Sequence, residues 1–221
     1  MTDPTRPYAS PACLAQEFDP DHVDPQQATD VARWRRAERV RLLAERAALS
    51  VVARQSAAQA IAAHLDQLLS ARFDSLKGLI ISGWWPIKAE LDLRFWLASL
   101  AAKGATAALP VILTPKAPLS FRAWTPETRM ERGFWNIPIP ADGPEIAPQI
   151  TLSPLVGWDG AGFRLGYGGG YFDRTLASLT PSPIAIGIGL DAARLSTIFP
   201  QPHDIPMDYI VTETGPQPLF P

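Results

Sequence analysis

Between Phe163 and Arg174 the chain reads Phe-Arg-Leu-Gly-Tyr-Gly-Gly-Gly-Tyr-Phe-Asp-Arg, so four of its fifteen glycines fall within the five positions Gly166 to Gly170. Glycines let consecutive main-chain N–H groups converge with no Cβ in the way. A helix starting just beyond them adds free N–H groups and a positive dipole end. Such a cradle suits phosphate. No Gly-Lys-Ser/Thr follows, which excludes a P-loop, and Tyr171 stands where the third glycine of a dinucleotide fingerprint would fall. What is left is an anion loop bracketed by Arg164, a phosphate clamp, and by Asp173, whose hard oxygens suit magnesium. An arginine, a metal-binding carboxylate and a nest of amides are the parts that hold a nucleoside triphosphate for phosphoryl transfer. The competing reading is a surface turn in which Arg164 and Asp173 only pair with each other.

The elements that must position this loop alternate between apolar runs and helical spacing. Two helices rich in Ala, Arg, Glu and Leu are expected over Gln26–Ala48 and Ser50–Arg72, with Ser50 capping the second. Strands follow at Leu79–Trp85, Ala105–Leu113, Leu119–Trp124 and Leu152–Trp158, the last running directly into the glycines. A helix over Leu91–Gly104 and another over Tyr171–Leu179 are interleaved with them. Strands at Ile184–Leu190 and Tyr209–Thr212, with a short helix from Asp191 between, complete the pattern. Such alternation predicts an α/β fold, three layers (α/β/α) around a mostly parallel sheet, preceded by the N-terminal helices. Residues 1–25, with five prolines, read as an extended arm, and 26–221 as a single domain.

Composition narrows the function. Hydrophobic residues at 47% and charged residues at 19% describe a globular chain. Twenty basic against twenty-two acidic residues leave no global basic field for nucleic acid or an anionic membrane, so any anion site is local. A lone cysteine, Cys13, excludes an intrachain disulfide, no Cys/His spacing suggests zinc, and no segment reads as a signal peptide or membrane span. A cytoplasmic protein is expected.

The segment Trp158-Asp159-Gly160-Ala161-Gly162-Phe163-Arg164-Leu165-Gly166-Tyr167-Gly168-Gly169-Gly170-Tyr171-Phe172-Asp173 resembles the signature of the 5-formyltetrahydrofolate cyclo-ligase family. It departs at Trp158, where the family has phenylalanine, and at Phe172, where it has a second tyrosine. The resemblance runs from about Val31 to Glu213 and implies a Rossmann-like cyclo-ligase fold, with ATP as co-substrate, magnesium, and a reduced folate as substrate. Carried over residue by residue, it implies ATP contacts from Arg35, Arg39 and the run Arg164, Leu165, Gly166, Tyr167, Gly168, Gly169, Gly170, Tyr171 and Phe172. Arg39, Glu90, Trp135, Tyr167, Gly168, Gly169, Gly170 and Tyr171 would contact the folate. Arg164 and Asp173 would be catalytic, and Asp173 and Asp204 would hold magnesium.

Each assignment has a chemical reason and an alternative. Glu90, in Trp84-Trp85-Pro86-Ile87-Lys88-Ala89-Glu90, can accept the paired N–H donors of a pterin edge, or it can serve as a first-turn acid of the next helix. Leu93 stands where the family often has threonine. Trp135 can pack on the folate rings or in a core. Asp208 competes with Asp204, and either can simply cap the loop before the last strand. On the first helix Arg35, Arg39 and Arg46 share a narrow face. The family's lysine and arginine, four residues apart, correspond to Arg35 and Arg39, with Arg36 an alternative for the first. An arginine for that lysine keeps charge but changes a compact ammonium into a planar fork. The implied activity is ATP-dependent conversion of 5-formyltetrahydrofolate to the 5,10-methenyl form. A paralogue that binds nucleotide or folate without this turnover, or acts on another N-formyl or amide compound, is the alternative. Small-molecule partners and a monomer, with a dimer as the alternative, complete the expectation.

Overall fold

The computed structural model describes residues 25–220; the expected arm before Pro25, including Cys13 and His22, lies outside them. The chain divides into two compact units, residues 1–38 and 39–221. Of the first unit, the described part is the opening stretch of helix α1 (Pro25–Ala48).

In the second unit α1 ends and helix α2 (Val51–Arg72) begins behind Ser50, whose hydroxyl accepts from the Ala53 N–H at 3.1 Å as a cap should. Strand β1 (Ile80–Ser82) leads to helix α3 (Arg94–Ser99), which tightens into a 3-10 turn over Leu100–Lys103 and stops at Gly104 in the left-handed region, φ 76°. Strands β2 (Thr106–Val111) and β3 (Ser120–Ala123) follow, then the hairpin β4 (Met130–Arg132) and β5 (Pro138–Pro140), which the sequence pattern does not announce. Next come β6 (Ile150–Pro154), β7 (Gly157–Asp159), β8 (Arg164–Leu165) and helix α4 (Tyr171–Ser178). The chain closes with β9 (Ile184–Ile188), β10 (Arg194–Leu195), β11 (Tyr209–Thr212) and β12 (Gly215–Pro216).

Seven strands form the main sheet in the order β12-β11-β9-β6-β1-β2-β3. Its five inner strands are parallel, and only the edge strands β3 and β12 run antiparallel. Side chains alternate between its faces with period two. Ala107, Leu109, Ile186, Ile188 and Val211 join α2 and α3 in one core cluster. Ala108, Ala185 and Ile210 point the other way, into clusters that contain Leu176, Tyr171 and Phe172 of α4. Helices therefore cover both faces, giving the three layers expected.

One expectation is corrected. The run Leu152–Trp158 is not one strand: the parallel strand ends at Pro154, and Gly157–Asp159 starts a second, three-stranded sheet, β10-β7-β8. Pro154 has no N–H to continue the ladder. The glycine loop thus leaves the antiparallel β7–β8 hairpin, not the central sheet directly. Asp159 shapes that hairpin: its Oδ1 accepts from Ala161 and Phe163 N–H, both at 3.1 Å, and its Oδ2 from Ile198 N–H at 2.9 Å.

Candidate functional site

From β1 the chain crosses to β2 on one side, whereas from β6 it crosses to β9 on the other. The gap between β1 and β6 is therefore the topological switch point, where ligands gather beyond the carboxyl ends of parallel strands. A cavity of about 100 Å³ lies there, walled by Trp84 and Glu90 after β1, Leu155 after β6, Leu190 after β9, and Leu42 and Arg46 from α1. Its lining is mainly apolar; of its charged groups Glu90 and Arg46 are more than nine-tenths buried, whereas Glu45 is exposed.

Glu90 is placed by a tight turn. Lys88 and Ala89 take left-handed backbone, φ 47° and 60°, so the chain doubles back and Glu90 Oε2 accepts from the Ile87 N–H at 2.8 Å. Burial raises its carboxyl above the usual carboxylate range, opposed in turn by that N–H, by Arg46 and by the Tyr167 hydroxyl. Tyr167 belongs to the glycine loop. Its phenol is pushed up to about 12, first by burial and then by Glu90, and so stays protonated at neutral pH.

Three arginines fix the loop itself. Arg39 Nε donates to Gly166 O at 2.6 Å, Arg46 donates to the Tyr167 hydroxyl, and Arg174 to Gly169 O. Gly168 is needed here: its φ is 93°, and a Cβ would meet the Arg39 guanidinium carbon at 3.4 Å. Carbonyls tied back to arginines leave N–H groups over. Those of Gly168 and Gly169 donate to no main-chain carbonyl among the described residues. Gly170, φ 63°, then starts α4 with no side-chain cap, leaving that helix's first N–H groups open to an anion.

At the foot of the loop Arg164 donates from NH2 to Asp173 Oδ2 at 2.7 Å, and both side chains are largely buried. The pairing anticipated for a bland turn does form, but inside the protein. Burial pulls Arg164 below its ordinary value, and Asp173 and then Asp204 push it back. Asp173 Oδ1 also accepts from the Ile205 N–H at 3.4 Å, which brings the segment after Asp204 against α4. Asp204 itself accepts from Gln201 N–H at 2.7 Å, with His203 Nε2 3.9 Å from its other oxygen. Asp208, the competing ligand, is used elsewhere: it accepts from Ala185 N–H at 2.7 Å beside β9. Phe172 lies with its ring under the Arg164 guanidinium, 5.3 Å away.

Trp135 stands out from the surface. It is 64% exposed and sits with Asn136 in left-handed backbone, φ 55° and 61°. Its ring meets Tyr171 edge-on at 5.6 Å and Phe134 at 4.8 Å. That exposure removes the core reading, and the left-handed backbone is one that a bulky residue rarely adopts.

The candidate residues Arg39, Glu90, Arg164, Tyr167 and Asp173 thus converge around one loop, with Asp204 beside its foot and Trp135 at its rim. Arg35 lies one turn before Arg39 on α1, within the first unit. Arg46 carries no assignment in the sequence reading although it shares the face of Arg39; seven residues' separation, two helical turns, was the available signal. Lys88, whose ammonium lies 5.4 Å from the Tyr167 ring, had none.

The model of the 5-formyltetrahydrofolate cyclo-ligase family matches residues 31–213. A 5-formyltetrahydrofolate cyclo-ligase of Mycolicibacterium smegmatis is 28% identical over 182 residues, covering 79% of this chain and 91% of that protein. One from Haemophilus influenzae is 27% identical, covering 73% and 88%. Among solved structures, the 5,10-methenyltetrahydrofolate synthetase of Aquifex aeolicus superposes with a TM-score of 0.70 at 25% identity, covering 85% of this chain and 93% of that one. The Mycoplasma pneumoniae synthetase shares the fold, with a TM-score of 0.64 at 24% identity, covering 81% and 98%. With the signature loop, the switch-point cavity and a family match over most of its length, the chain belongs to the 5-formyltetrahydrofolate cyclo-ligase family.

Proposed function

We propose that this protein closes 5-formyltetrahydrofolate to 5,10-methenyltetrahydrofolate at the expense of ATP, releasing ADP and phosphate. The observation that carries the reading is that the family match includes a switch-point cavity whose one buried carboxylate, Glu90, faces a tyrosine of the glycine loop.

The chemistry asks for position more than for a nucleophile. An amide-like formyl oxygen is a poor leaving group. The γ-phosphoryl of ATP is transferred to it, and ADP departs. N10 of the same folate attacks the activated carbon, forming the new C–N bond; the C–O bond breaks, phosphate leaves, and N10 gives up its proton. Holding two substrates in line and neutralising phosphate charge supplies most of the acceleration in such a scheme. Arg39, Arg164, the open N–H groups of Gly168 and Gly169 and the start of α4 are suited to the phosphates; the resemblance adds Arg35, one turn earlier on α1. Leu165, Gly166, Gly170, Tyr171 and Phe172 shape that cradle. Glu90 is suited to the paired N–H donors of the pterin, and Trp135 with Tyr171 to its flat rings. Asp173 and Asp204, the two carboxylates that bear on Arg164 at the foot of the loop, would hold magnesium, which accepts one or two carboxylates beside phosphate oxygens; bound there, it would neutralise charge on the transferring phosphate.

We read residues 26–221 as one catalytic domain acting as a cytoplasmic monomer. No helix among the described residues is long and apolar enough to cross a membrane. Purified protein mixed with 5-formyltetrahydrofolate and Mg-ATP should develop methenyl absorbance, with one phosphate per turnover. Phosphate release on another formyl or amide compound, without methenyl product, would replace this reading by the paralogue.

A further inference from the structure

Arg46 is a buried cation with defined tethers. Its guanidinium donates to Leu155 O at 3.4 Å, to Lys88 O at 3.2 Å and to the Tyr167 hydroxyl, and it lies 5.8 Å from the Tyr167 ring centre. It therefore joins α1, the end of β6, the Glu90 turn and the glycine loop at one point. Glu90 shares the cavity wall with it. A carboxylate buried to this degree is driven toward its neutral form unless a cation is buried with it. A neutral carboxyl presents an O–H to one of the two N–H donors of a pterin edge, and so loses the paired acceptance.

We propose that Arg46 is a positioning residue that holds Glu90 ionised and fixes its turn, so that the cavity accepts the donor edge of a 2-amino-4-oxo heterocycle. This rests on reading the cavity as the pterin site. The Ile87 N–H, 2.8 Å from Glu90 Oε2, also favours the ionised form, but among charged side chains Arg46 is the one placed to do so. Lys88, on Glu90's own turn, stands over the Tyr167 ring, and Glu45, also on the wall from α1, has the wrong sign. The walls after β6 and β9 contribute Leu155 and Leu190, which carry no charge. Tyr167 transmits the effect: its hydroxyl accepts from Arg46 and faces Glu90.

Folate affinity should rise with pH as Glu90 ionises, and removing Arg46 should move that rise to higher pH. The carboxyl carbon of Glu90 can be titrated by carbon-13 NMR in the ligand-free full chain, and 5-formyltetrahydrofolate binding measured by calorimetry over the same pH range. Arg46→Met is expected to displace the Glu90 titration upward and to weaken binding about tenfold near neutral pH, with the loss recovered at high pH. Arg46→Lys should restore much of the wild-type profile, and Glu90→Gln should flatten it. Should Arg46→Met not fold, Tyr167→Phe removes the intervening hydroxyl alone and should displace the Glu90 titration in the same direction by less. A Glu90 titration unmoved in the folded variants, or an Arg46→Met protein weakened equally at every pH, would overturn the proposal. Wild-type protein that binds no 5-formyltetrahydrofolate while Glu90 still responds to Arg46 would overturn the pterin reading instead.

Discussion

The two halves of the candidate site each bury an arginine and a carboxylate, but they join them differently. At the foot of the glycine loop Arg164 and Asp173 are in direct contact at 2.7 Å. In the switch-point cavity Arg46 meets Glu90 across the Tyr167 hydroxyl. A direct pair neutralises itself and is costly to break, since one partner left buried and alone typically costs about 3–5 kcal/mol. The separated pair has no guanidinium on the carboxylate itself: Glu90 takes the neutral Ile87 N–H instead, and no cation has to be displaced for a ligand to approach. Under the proposed function the first arrangement would serve as a rigid frame for phosphate and metal, the second as a recognition surface.

Breaking the direct pair should have the largest effect. Asp173→Asn keeps the shape and an acceptor for Arg164 but loses the charge; turnover should fall by about a thousandfold, the upper range for losing one charge-stabilising group. Circular dichroism should show the fold retained. Full activity in this variant would remove Asp173 from the phosphate and metal site.

Glu90→Gln acts on the separated pair. It should raise the KM for 5-formyltetrahydrofolate by roughly ten- to a hundredfold, as for a charged hydrogen bond worth about 1.5–3 kcal/mol. Binding of a non-hydrolysable ATP analogue should be unchanged. Equal losses for both ligands would erase the distinction between the two halves.

Trp135→Ala belongs to neither pair. Loss of one aromatic contact, about 0.5–1.5 kcal/mol, should raise the folate KM roughly three- to tenfold and leave the melting temperature in place, because the ring is exposed. A fall of several degrees in melting temperature would mean that the ring supports the fold.

The smallest effect is expected of Phe172→Tyr, which restores the hydroxyl of the family signature. The ring already packs under Arg164, so kcat should change by no more than about twofold, or roughly 0.5 kcal/mol. A tenfold gain would show that the hydroxyl has a part in the reaction.

How much of this was legible in the sequence depended on range. Local signals held: the Ser50 cap, the Gly104 stop and the helix after Gly170 each rest on a neighbour's geometry and were readable. The strand over Leu152–Trp158 was misread because a continuous apolar run has no mark where it leaves one sheet for another; only Pro154 hinted at it. The hairpin over Met130–Pro140 escaped because its strands are only three residues long, the second holding two prolines, and their pairing is what makes them strands. At the site, the loop residues were readable from glycine chemistry, and Glu90 from the resemblance. Arg46 was visible as one of several arginines on a helix. That it reaches Tyr167, 121 positions away, is a property of the fold.

The central claim is that the two halves bring the formyl oxygen of the folate against the γ-phosphate of ATP. Single-turnover reaction with oxygen-18 in the formyl group tests it most directly. One labelled oxygen should appear in each inorganic phosphate released, with methenyl product in equal amount. Methenyl formation with unlabelled phosphate would contradict the account, because ring closure would then proceed without phosphoryl transfer to that oxygen.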